Sequence, residues 1–346
     1  MTSSSLFELA CGSGRYFGAA ARISEIDGDT ALRDLVLRDC GWLTPEIHLK
    51  WDSLEFTRGK FNFAPVDDLL LFADEHGKQL RGHTLLWEQS TPPWAKAEML
   101  ARRDWRLVTR HFSHVLSRYR GRIGEWDVVN EAIDTEHGAD GLRTTCFYRA
   151  FGPCYIERAL REAHALDPTS RLLVNDFGFE YENPVDEARR TAFMGLLTRL
   201  KGAGAPLDGV GLQAHLDLGK GRISRATIER FIGAIADLGL DVTITEFDVK
   251  ESEPRAPVDL RDERVAEHAR HYLGIMLAQP AVRGLVTWGL SDKYSWLSGP
   301  AGADKATRLN RGLPYDGLFA PKRMHAAIAA ALTAARGFGT SFRPPA

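Results

Sequence analysis

The sequence has few cysteines, little net charge and no long apolar run, and each absence excludes a class of protein. Four cysteines among 346 residues, without a Cys-x-x-Cys pair, do not make a disulfide scaffold or a metal-binding motif. A formal charge of -2, with no basic cluster interleaved with aromatics, argues against a nucleic-acid partner. No segment reaches the roughly 20 apolar residues of a membrane helix, so we expect no membrane partner.

Export and domain signals are also missing. The stretch from Met1 to Gly14 lacks the basic start and the apolar run of about 7–15 residues that mark a secretory signal. We therefore expect a cytoplasmic protein, or a secreted or periplasmic one if a leader has been removed. Without linkers or biased tracts, the chain is predicted to be one monomeric domain over residues 1–346, with its core at about 16–336.

Short apolar runs alternate with amphipathic segments along the whole chain. This alternation is typical of repeated βα units that build a parallel sheet. Eight such units predict a closed (β/α)8 barrel, an α/β fold. The predicted strands are Tyr16–Ala20, Gly41–Thr44, Gln79–Leu86, Glu125–Val129, Arg171–Asn175, Gly209–Gln213, Val242–Thr245 and Gly284–Trp288.

The predicted helices carry apolar residues at spacings of three and four. Val66, Leu69, Leu70 and Ala73 form one such stripe, and a second runs from Trp105 to Tyr119. Breaker-rich loops are predicted at 202–206, 251–257 and 298–302. We interpret the stripes as core-facing surfaces rather than cofactor sites.

Two of the predicted strands end in a glutamate, Glu131 after Trp126–Asn130 and Glu246 after Ile244–Thr245. Carboxyl groups at the C-terminal ends of barrel strands lie where this fold carries its chemistry. Two carboxyl groups can share proton delivery to a leaving oxygen and attack at an anomeric carbon. The pair therefore predicts glycoside hydrolysis.

Other strand ends carry side chains suited to the same chemistry. Asn130 could hydrogen-bond a sugar hydroxyl, and His215 could hydrogen-bond a carboxylate and keep it ionised. Tryptophan faces near strand ends can pack on the apolar faces of sugar rings. These tryptophans are Trp87, Trp94, Trp288 and Trp296.

An ordered series of motifs resembles glycoside hydrolase family 10, the family of retaining endo-β-1,4-xylanases, over nearly the full length of the chain. The motifs are Thr44-Pro45-Glu46 with Lys50-Trp51, Arg81–Trp87, Trp126–Glu131, Val174–Asp176, Gly211–His215, Ile244–Asp248, and Thr287–Asp292 with Tyr294–Trp296. The resemblance implies an oligosaccharide or polysaccharide substrate and no metal or organic cofactor.

The same resemblance implies a role for each matched residue. Glu131 would be the general acid/base and Glu246 the nucleophile that forms a covalent intermediate, with His215 and Asp248 in support. The glycone sugar beside the scissile bond would contact His83, Asn130, Gln213, His215 and Trp296. The next sugar outward would contact Glu46, Lys50, Trp87 and Trp288. Apart from these matched roles, we also predict substrate contacts for Asn175, which lies in a matched motif, and for Glu88, which does not match the family.

The chain departs from the family pattern at positions that should contact sugars. Ile47, Glu88, Ser90, Phe177 and Gly178 stand where the family has an amide, His, Gln, Tyr and Asn. Because sites built to hydrogen-bond hydroxyls discriminate strongly, these changes should alter which sugars fit. We therefore expect cleavage of short or decorated oligosaccharides. Glu88 either keeps a structural polar contact, or lies close enough to change the protonation of Glu131 or to bind a substrate amine or hydroxyl.

Three alternatives remain open at this stage. The enzyme could act on a different β-linked glycan, or the barrel could have lost activity and only bind carbohydrate. A metal-dependent hydrolase would require ligands such as the pairs His111/His114 and His268/His271. Since these pairs fall within predicted helices, we expect them to lie on exposed helix faces.

Overall fold

A computed structural model describes residues 4–253, 255–298 and 310–336. Within them the strands are β1 Tyr16–Ala21, β2 Trp42–Pro45, β3 Gln79–Leu86, β4 Ile123–Asn130, β5 Arg171–Asp176, β6 Gly209–Leu212, β7 His215–Asp217, β8 Asp241–Lys250 and β9 Val282–Thr287. Each predicted strand is present, with ends that differ by a few residues. The predicted loop at 298–302 lies outside the described residues from position 299 onward.

The strands form a closed eight-stranded parallel barrel. Neighbours pair in the order β1 to β6, then β6 with β8, β8 with β9, and β9 with β1. Strand β7 continues the line of β6 after an interruption at Gln213 and Ala214, and pairs with β8. Ala214 has a left-handed backbone, with φ of 59°, which breaks the predicted strand one residue before its expected end. The prediction of a (β/α)8 barrel is confirmed.

Helices surround the barrel and contribute most of the outer core. They are α1 Leu6–Gly12, α2 Ile23–Gly28, α3 Thr30–Asp39, α4 Trp51–Leu54, α5 Ala64–Glu75, α6 Pro93–Arg102, α7 Arg106–Tyr119, α8 Cys146–Phe151, α9 Tyr155–Leu166, α10 Pro184–Gly202, α11 Arg225–Asp237, α12 Val258–Met276 and α13 Arg323–Ala334. The apolar stripes predicted on α5 and α7 are buried. No helix within the described residues is long and apolar enough to cross a bilayer.

The expectation for the histidine pairs needs correction. His114 and His271 are exposed, but His111 is fully buried on α7, stacks on Trp51 and donates from Nε2 to the Leu85 carbonyl at 3.1 Å. His111 lies on the apolar side of α7, so its ring packs into the core. His268 is half-buried, with Nε2 3.1 Å from the Tyr181 hydroxyl.

Candidate active site

A cleft of about 450 Å³ opens at the C-terminal ends of the barrel strands. Parallel strands bring the ends of every strand to one face, and most predicted site residues line this cleft. The lining residues are Glu46, Ile47, Lys50, His83, Trp87, Gln89, Asn130, Glu131, Phe177, Gly178, Gln213, His215, Lys220, Glu246, Trp288 and Trp296. Three predicted site residues, Glu88, Asn175 and Asp248, lie outside this wall.

A chain of amide hydrogen bonds connects the two glutamates. Asn175 Nδ2 donates to Glu246 Oε1 and to Asn130 Oδ1, both at 2.8 Å. Gln213 Nε2 donates to Asn130 Oδ1 at 3.3 Å and to Glu131 Oε1 at 3.4 Å. The relative positions of Glu131 and Glu246 are therefore fixed by side chains from strands β4 and β5 and from Gln213, directly after β6.

Asn175 supports the site from below instead of meeting a ligand directly. Its side chain is fully buried, and its Oδ1 accepts from Thr245 Oγ1 at 2.7 Å. A Cβ atom at Gly211 would lie only 2.1 Å from Asn175 Oδ1, so the neighbouring strand needs glycine at this position. In place of the predicted substrate contact, Asn175 orients Glu246 and Asn130.

Asn130 presents a donor that lacks a partner within the described residues. Its Nδ2 atom is buried without a hydrogen bond, while its Oδ1 accepts from both Asn175 and Gln213. Buried polar atoms in proteins nearly always have a partner, so this exception at the cleft is a candidate ligand contact. The Asn130 amide is thus placed to donate to a bound hydroxyl.

Glu246 is held in its ionised form by a histidine. Burial would raise the pKa of Glu246, but the hydrogen bond from His215 and the electrostatic effects of His83, His215 and Lys50 hold it well below its ordinary value. His215 Nε2 donates to Glu246 Oε2 at 3.2 Å and Nδ1 donates to Asp248 Oδ1 at 2.9 Å. An ionised carboxylate in a buried site is suited to nucleophilic attack.

The imidazolium of His215 depends on Asp248. Burial would lower the pKa of His215, yet the charge of Asp248 and its hydrogen bond, together with Glu246, raise it well above the ordinary value. Trp296 Nε1 also donates to Asp248, at 2.7 Å from Oδ2. Asp248 is fully buried, so it acts behind the cleft wall by keeping His215 charged and Trp296 in place.

His83 is oriented by a second buried network inside the barrel. Its Nδ1 donates to Asp127 Oδ2 at 2.9 Å, and Asp127 Oδ1 accepts from Arg81 Nη2 at 2.8 Å. Arg81 Nε donates to Glu125 Oε1 at 2.6 Å. All four side chains are buried, and Arg81, Glu125 and Asp127 lie below the cleft.

Glu131 lies on a left-handed backbone turn that several side chains hold. Its φ is 57°, a conformation rare for a residue with a side chain. Arg143 Nε donates to the Glu131 carbonyl at 3.0 Å, and Asp176 Oδ2 accepts from the Ile133 N–H at 2.8 Å. Arg189 donates to the Ile133 carbonyl at 3.0 Å and to Asp176 Oδ1 at 2.6 Å.

Sequence reasoning did not assign functions to Arg143, Asp176 or Arg189. Asp176 stood in a recognised motif, directly after Asn175, and that position was the available signal. The two arginines gave no local signal, because their partners lie on other loops.

The loop after β2 places Glu46 and Lys50 at one end of the cleft. Arg22 binds both carboxylate oxygens of Glu46, with Nε and Nη2 at 2.9 and 2.8 Å. The Lys50 ammonium lies 4.7 Å from the Trp87 ring centroid and 5.8 Å from that of Trp288. Burial lowers the pKa of Lys50, while nearby carboxylates led by Glu246 oppose this effect.

The departures from the family pattern have distinct structural outcomes. Glu88 turns away from the cleft. Its Oε2 accepts from the Cys146 N–H at 2.7 Å, and its Oε1 lies 3.3 Å from Lys96 Nζ. These bonds support the interpretation of Glu88 as a structural contact. The next residue, Gln89, lines the cleft and supplies an amide one position from Ser90.

Phe177 and Gly178, directly after β5, also line the cleft. The Arg189 guanidinium packs 4.3 Å from the Phe177 ring centroid. Gly178 has a φ of 77°, and a Cβ there would approach Arg189 Nε to 2.8 Å. The glycine therefore allows the arginine that holds the Glu131 turn to pass close to the backbone.

A family model described as glycosyl hydrolase family 10 matches residues 5–331. The chain belongs to glycosyl hydrolase family 10. As a member of this family it is a glycoside hydrolase, and its substrate is a carbohydrate. Within the described residues, no group of three or more His, Cys, Asp or Glu side chains could hold a metal ion.

Named relatives within this family are similar over most of the chain. The endo-1,4-β-xylanase A of Fusarium oxysporum is 35% identical over 82% of this chain and 86% of its own length. The endo-1,4-β-xylanase C of Phanerodontia chrysosporium is 31% identical over 96% of this chain and 80% of its own. The structure of xylanase 10B from Thermotoga petrophila with xylobiose aligns with a TM-score of 0.84 and 31% identity, covering 96% and 98% of the two chains.

Proposed function

We propose that this glycoside hydrolase cleaves β-1,4-xylosidic linkages in xylan or xylo-oligosaccharides with retention of anomeric configuration. The observation that carries the proposal is the ionised Glu246, bound by His215 and joined through Asn175, Asn130 and Gln213 to Glu131. The names of the similar proteins support xylan as the substrate class.

In the proposed first step, Glu246 attacks the anomeric carbon while Glu131 donates its proton to the leaving oxygen. A covalent glycosyl-enzyme forms and the leaving sugar departs with a new hydroxyl. In the second step, Glu131 takes a proton from water, which displaces Glu246 from the anomeric carbon. The Asn130 Nδ2 donor, unpartnered within the described residues, supports a contact to a sugar hydroxyl that tightens in the transition state.

The test is a panel of aryl β-glycosides and β-linked oligosaccharides, including xylo-oligosaccharides, hydrolysed by the protein and by Glu246→Ala. We expect turnover of xylosides that the substitution abolishes, and a first-formed product with β configuration by NMR. An α-configured first product would overturn retention. Turnover of other β-glycosides alone would redirect the proposal to a different glycan, and no turnover by folded protein would leave binding as the function.

A further inference from the structure

Arg189 is a buried arginine on α10 that binds the chain near the C-terminal ends of two barrel strands. Its Nη1 donates to the Ile133 carbonyl, in the loop after β4, at 3.0 Å. Its Nη2 donates to Asp176 Oδ1 at 2.6 Å, and its Nε donates to the Phe177 carbonyl at 2.8 Å, where β5 ends. Only 8% of the side chain is exposed, and it lies outside the cleft wall. The guanidinium therefore ties the loop after β4 to the end of β5 without facing a substrate.

The loop that Arg189 binds begins with Glu131, the proposed acid/base. The Glu131 N–H donates to the Asn175 carbonyl at 2.8 Å, and the Ile133 N–H donates to Asp176 Oδ2 at 2.8 Å. Arg189 completes this arrangement, because it binds the second oxygen of Asp176 and the carbonyl of Ile133. Strained residues persist where their surroundings over-determine them, and Glu131, with its left-handed φ of 57°, is such a residue. The direction of its carboxyl group thus depends on bonds made two residues further along the chain.

Two residues that depart from the family pattern, Phe177 and Gly178, accommodate this arginine. The guanidinium carbon of Arg189 lies 4.3 Å from the Phe177 ring centroid, a contact that suits a planar cation. A Cβ atom at position 178 would lie 2.8 Å from Arg189 Nε and 3.1 Å from its Cδ. The asparagine of the family pattern would carry this Cβ, so Arg189 could not keep its present position beside it. The departure and the arginine therefore belong to one packing arrangement.

The three acceptors of Arg189 require a guanidinium and not simply a positive charge. Two backbone carbonyls and one carboxylate each take a separate N–H of a rigid, planar group, which fixes the spacing of the two loops. In the proposed first step a proton passes from Glu131 to the leaving oxygen, and an error of about 1 Å in such geometry lowers a rate by about 10²-fold. A change at Arg189 should therefore affect the acid without touching the substrate.

We propose that Arg189 is a positioning residue for acid catalysis. It aims the Glu131 carboxyl group at the leaving oxygen through the backbone of the loop after β4, and the Phe177-Gly178 departure accommodates it. The proton itself passes from Glu131 to the leaving oxygen as the glycosidic bond breaks, and Arg189 exchanges none. This inference rests on the proposed function and assigns a part of its first step to α10.

The experiment compares dinitrophenyl and phenyl β-xylobiosides as substrates. The phenyl substrate needs a proton on its leaving oxygen, whereas dinitrophenol is acidic enough to leave without one. We expect the ratio of kcat/KM on the dinitrophenyl substrate to that on the phenyl substrate to rise about tenfold to 10²-fold in Arg189→Met. Since kcat/KM covers the steps up to the glycosyl-enzyme, the later attack by water does not mask this change.

Arg190→Met is the matched control, because Arg190 is the next residue on α10 and only 6% of its side chain is exposed. Its Nη1 donates to the carbonyls of Phe179 and Tyr181 at 2.6 and 3.1 Å. Within the described residues it makes no hydrogen bond to the loop after β4. Both substitutions remove a buried guanidinium from the same helix, but the ratio should stay unchanged in Arg190→Met.

Two further variants keep the test decisive if Arg189→Met does not fold. Arg189→Lys keeps the charge beside Asp176 but cannot reach all three acceptors, so its ratio should rise less than in Arg189→Met. Gly178→Asn introduces the Cβ that displaces Arg189, at a left-handed position that asparagine tolerates better than most residues. Its ratio should rise in the same direction.

An unchanged ratio in the folded Arg189 variants, or an equal rise in Arg190→Met, would overturn the inference, while turnover of both substrates by the unmodified protein upholds the proposed function. A Gly178→Asn variant that changes kcat/KM on both substrates equally would overturn the link between the departure and the arginine. Absence of turnover on these substrates and on xylo-oligosaccharides by folded, unmodified protein would overturn the proposed function, and the inference with it.

Discussion

The catalytic centre differs in its construction from one end of the same cleft, the β2–β3 end, which is lined by Glu46, Ile47, Lys50, Trp87 and Gln89. At the centre, Glu246 and Glu131 are buried, and hydrogen bonds from Asn175 on β5 and Gln213 directly after β6 fix their positions. At the β2–β3 end, Ile47, Lys50 and Gln89 come from loops, are half-buried or exposed, and leave donors open. The difference teaches that the reaction is set by the barrel and the choice of sugar by its loops.

Removing the proposed acid/base should have the largest effect and separates chemistry from binding. Glu131→Gln is expected to lower kcat on xylo-oligosaccharides by about 10²- to 10⁴-fold, because the leaving sugar then departs without a proton. Aryl xylosides with acidic leaving groups need no protonation, so their first step should fall much less. Burst and steady-state kinetics on both substrates measure the difference.

Glu136→Gln, an exposed change in the loop after Glu131, is the matched control and should keep both rates. Equal losses on oligosaccharides and activated aryl xylosides in Glu131→Gln would contradict the role.

Breaking the buried network below His83 should have the next largest effect, mainly as a loss of unfolding free energy. Asp127→Ala leaves the Arg81 charge buried with one fewer partner, which costs about 3–5 kcal/mol of unfolding free energy. Urea unfolding measures it. Asp74→Ala, from an exposed pair with Arg122, should change the unfolding free energy far less. Similar losses in the two variants would contradict the importance of burial.

The proximity of Glu131 and Glu246 could be predicted because the information for it is local in the sequence. Glu131 and Glu246 each follow an apolar strand, and parallel strands bring their ends together, so position along the chain implied proximity. The interruption between β6 and β7 was missed, since the left-handed Ala214 is an alanine and not a glycine. The pairing of Arg22 with Glu46 was missed as well, because it joins loops after different strands and no periodicity encodes it.

The predicted ligand contacts of Glu88 and Asn175 show where the sequence stops being informative. Asn175 is fully buried and binds Glu246, so the motif position indicated importance but not the kind of contact. Gln89 lines the cleft, although the sequence predicted no role for it. A one-residue shift of an amide within a loop changes which side chain faces the ligand. Loop conformation decides these contacts, and the sequence pattern does not contain it.

Substituting the histidine beside Glu246 should have an intermediate effect, visible as a pH shift. His215→Asn removes the hydrogen bond and the charge that lower the pKa of Glu246, while the burial that raises this pKa remains. The acidic limb of kcat/KM should therefore move up by about one to three pH units. The pH profile on an aryl xyloside measures it. His271→Asn, on α12, should leave the limb in place, and an unmoved limb in His215→Asn would contradict the role.

Glu246 and His215 both stabilise the folded state, but their contributions change with pH in opposite directions. The depressed pKa of Glu246 stabilises the fold above the ordinary glutamate value, and this contribution is lost as pH falls through the depressed value. The raised pKa of His215 stabilises the fold below the ordinary histidine value, and this contribution is lost as pH rises through the raised value. The pair therefore favours the folded state most between these two ordinary values.

Glu88→Gln should have the smallest effect, because the carboxylate faces α6 and α8 rather than the substrate. The amide can still accept from the Cys146 N–H, and the partly exposed pair with Lys96 contributes at most about 1 kcal/mol. We expect an unchanged pH profile and substrate range, with a slightly lower midpoint of thermal unfolding. A shifted acidic or basic limb of the pH profile would mean that Glu88 affects the protonation of Glu131. The catalytic centre would then include the loop after β3, where Glu88 otherwise makes only structural contacts.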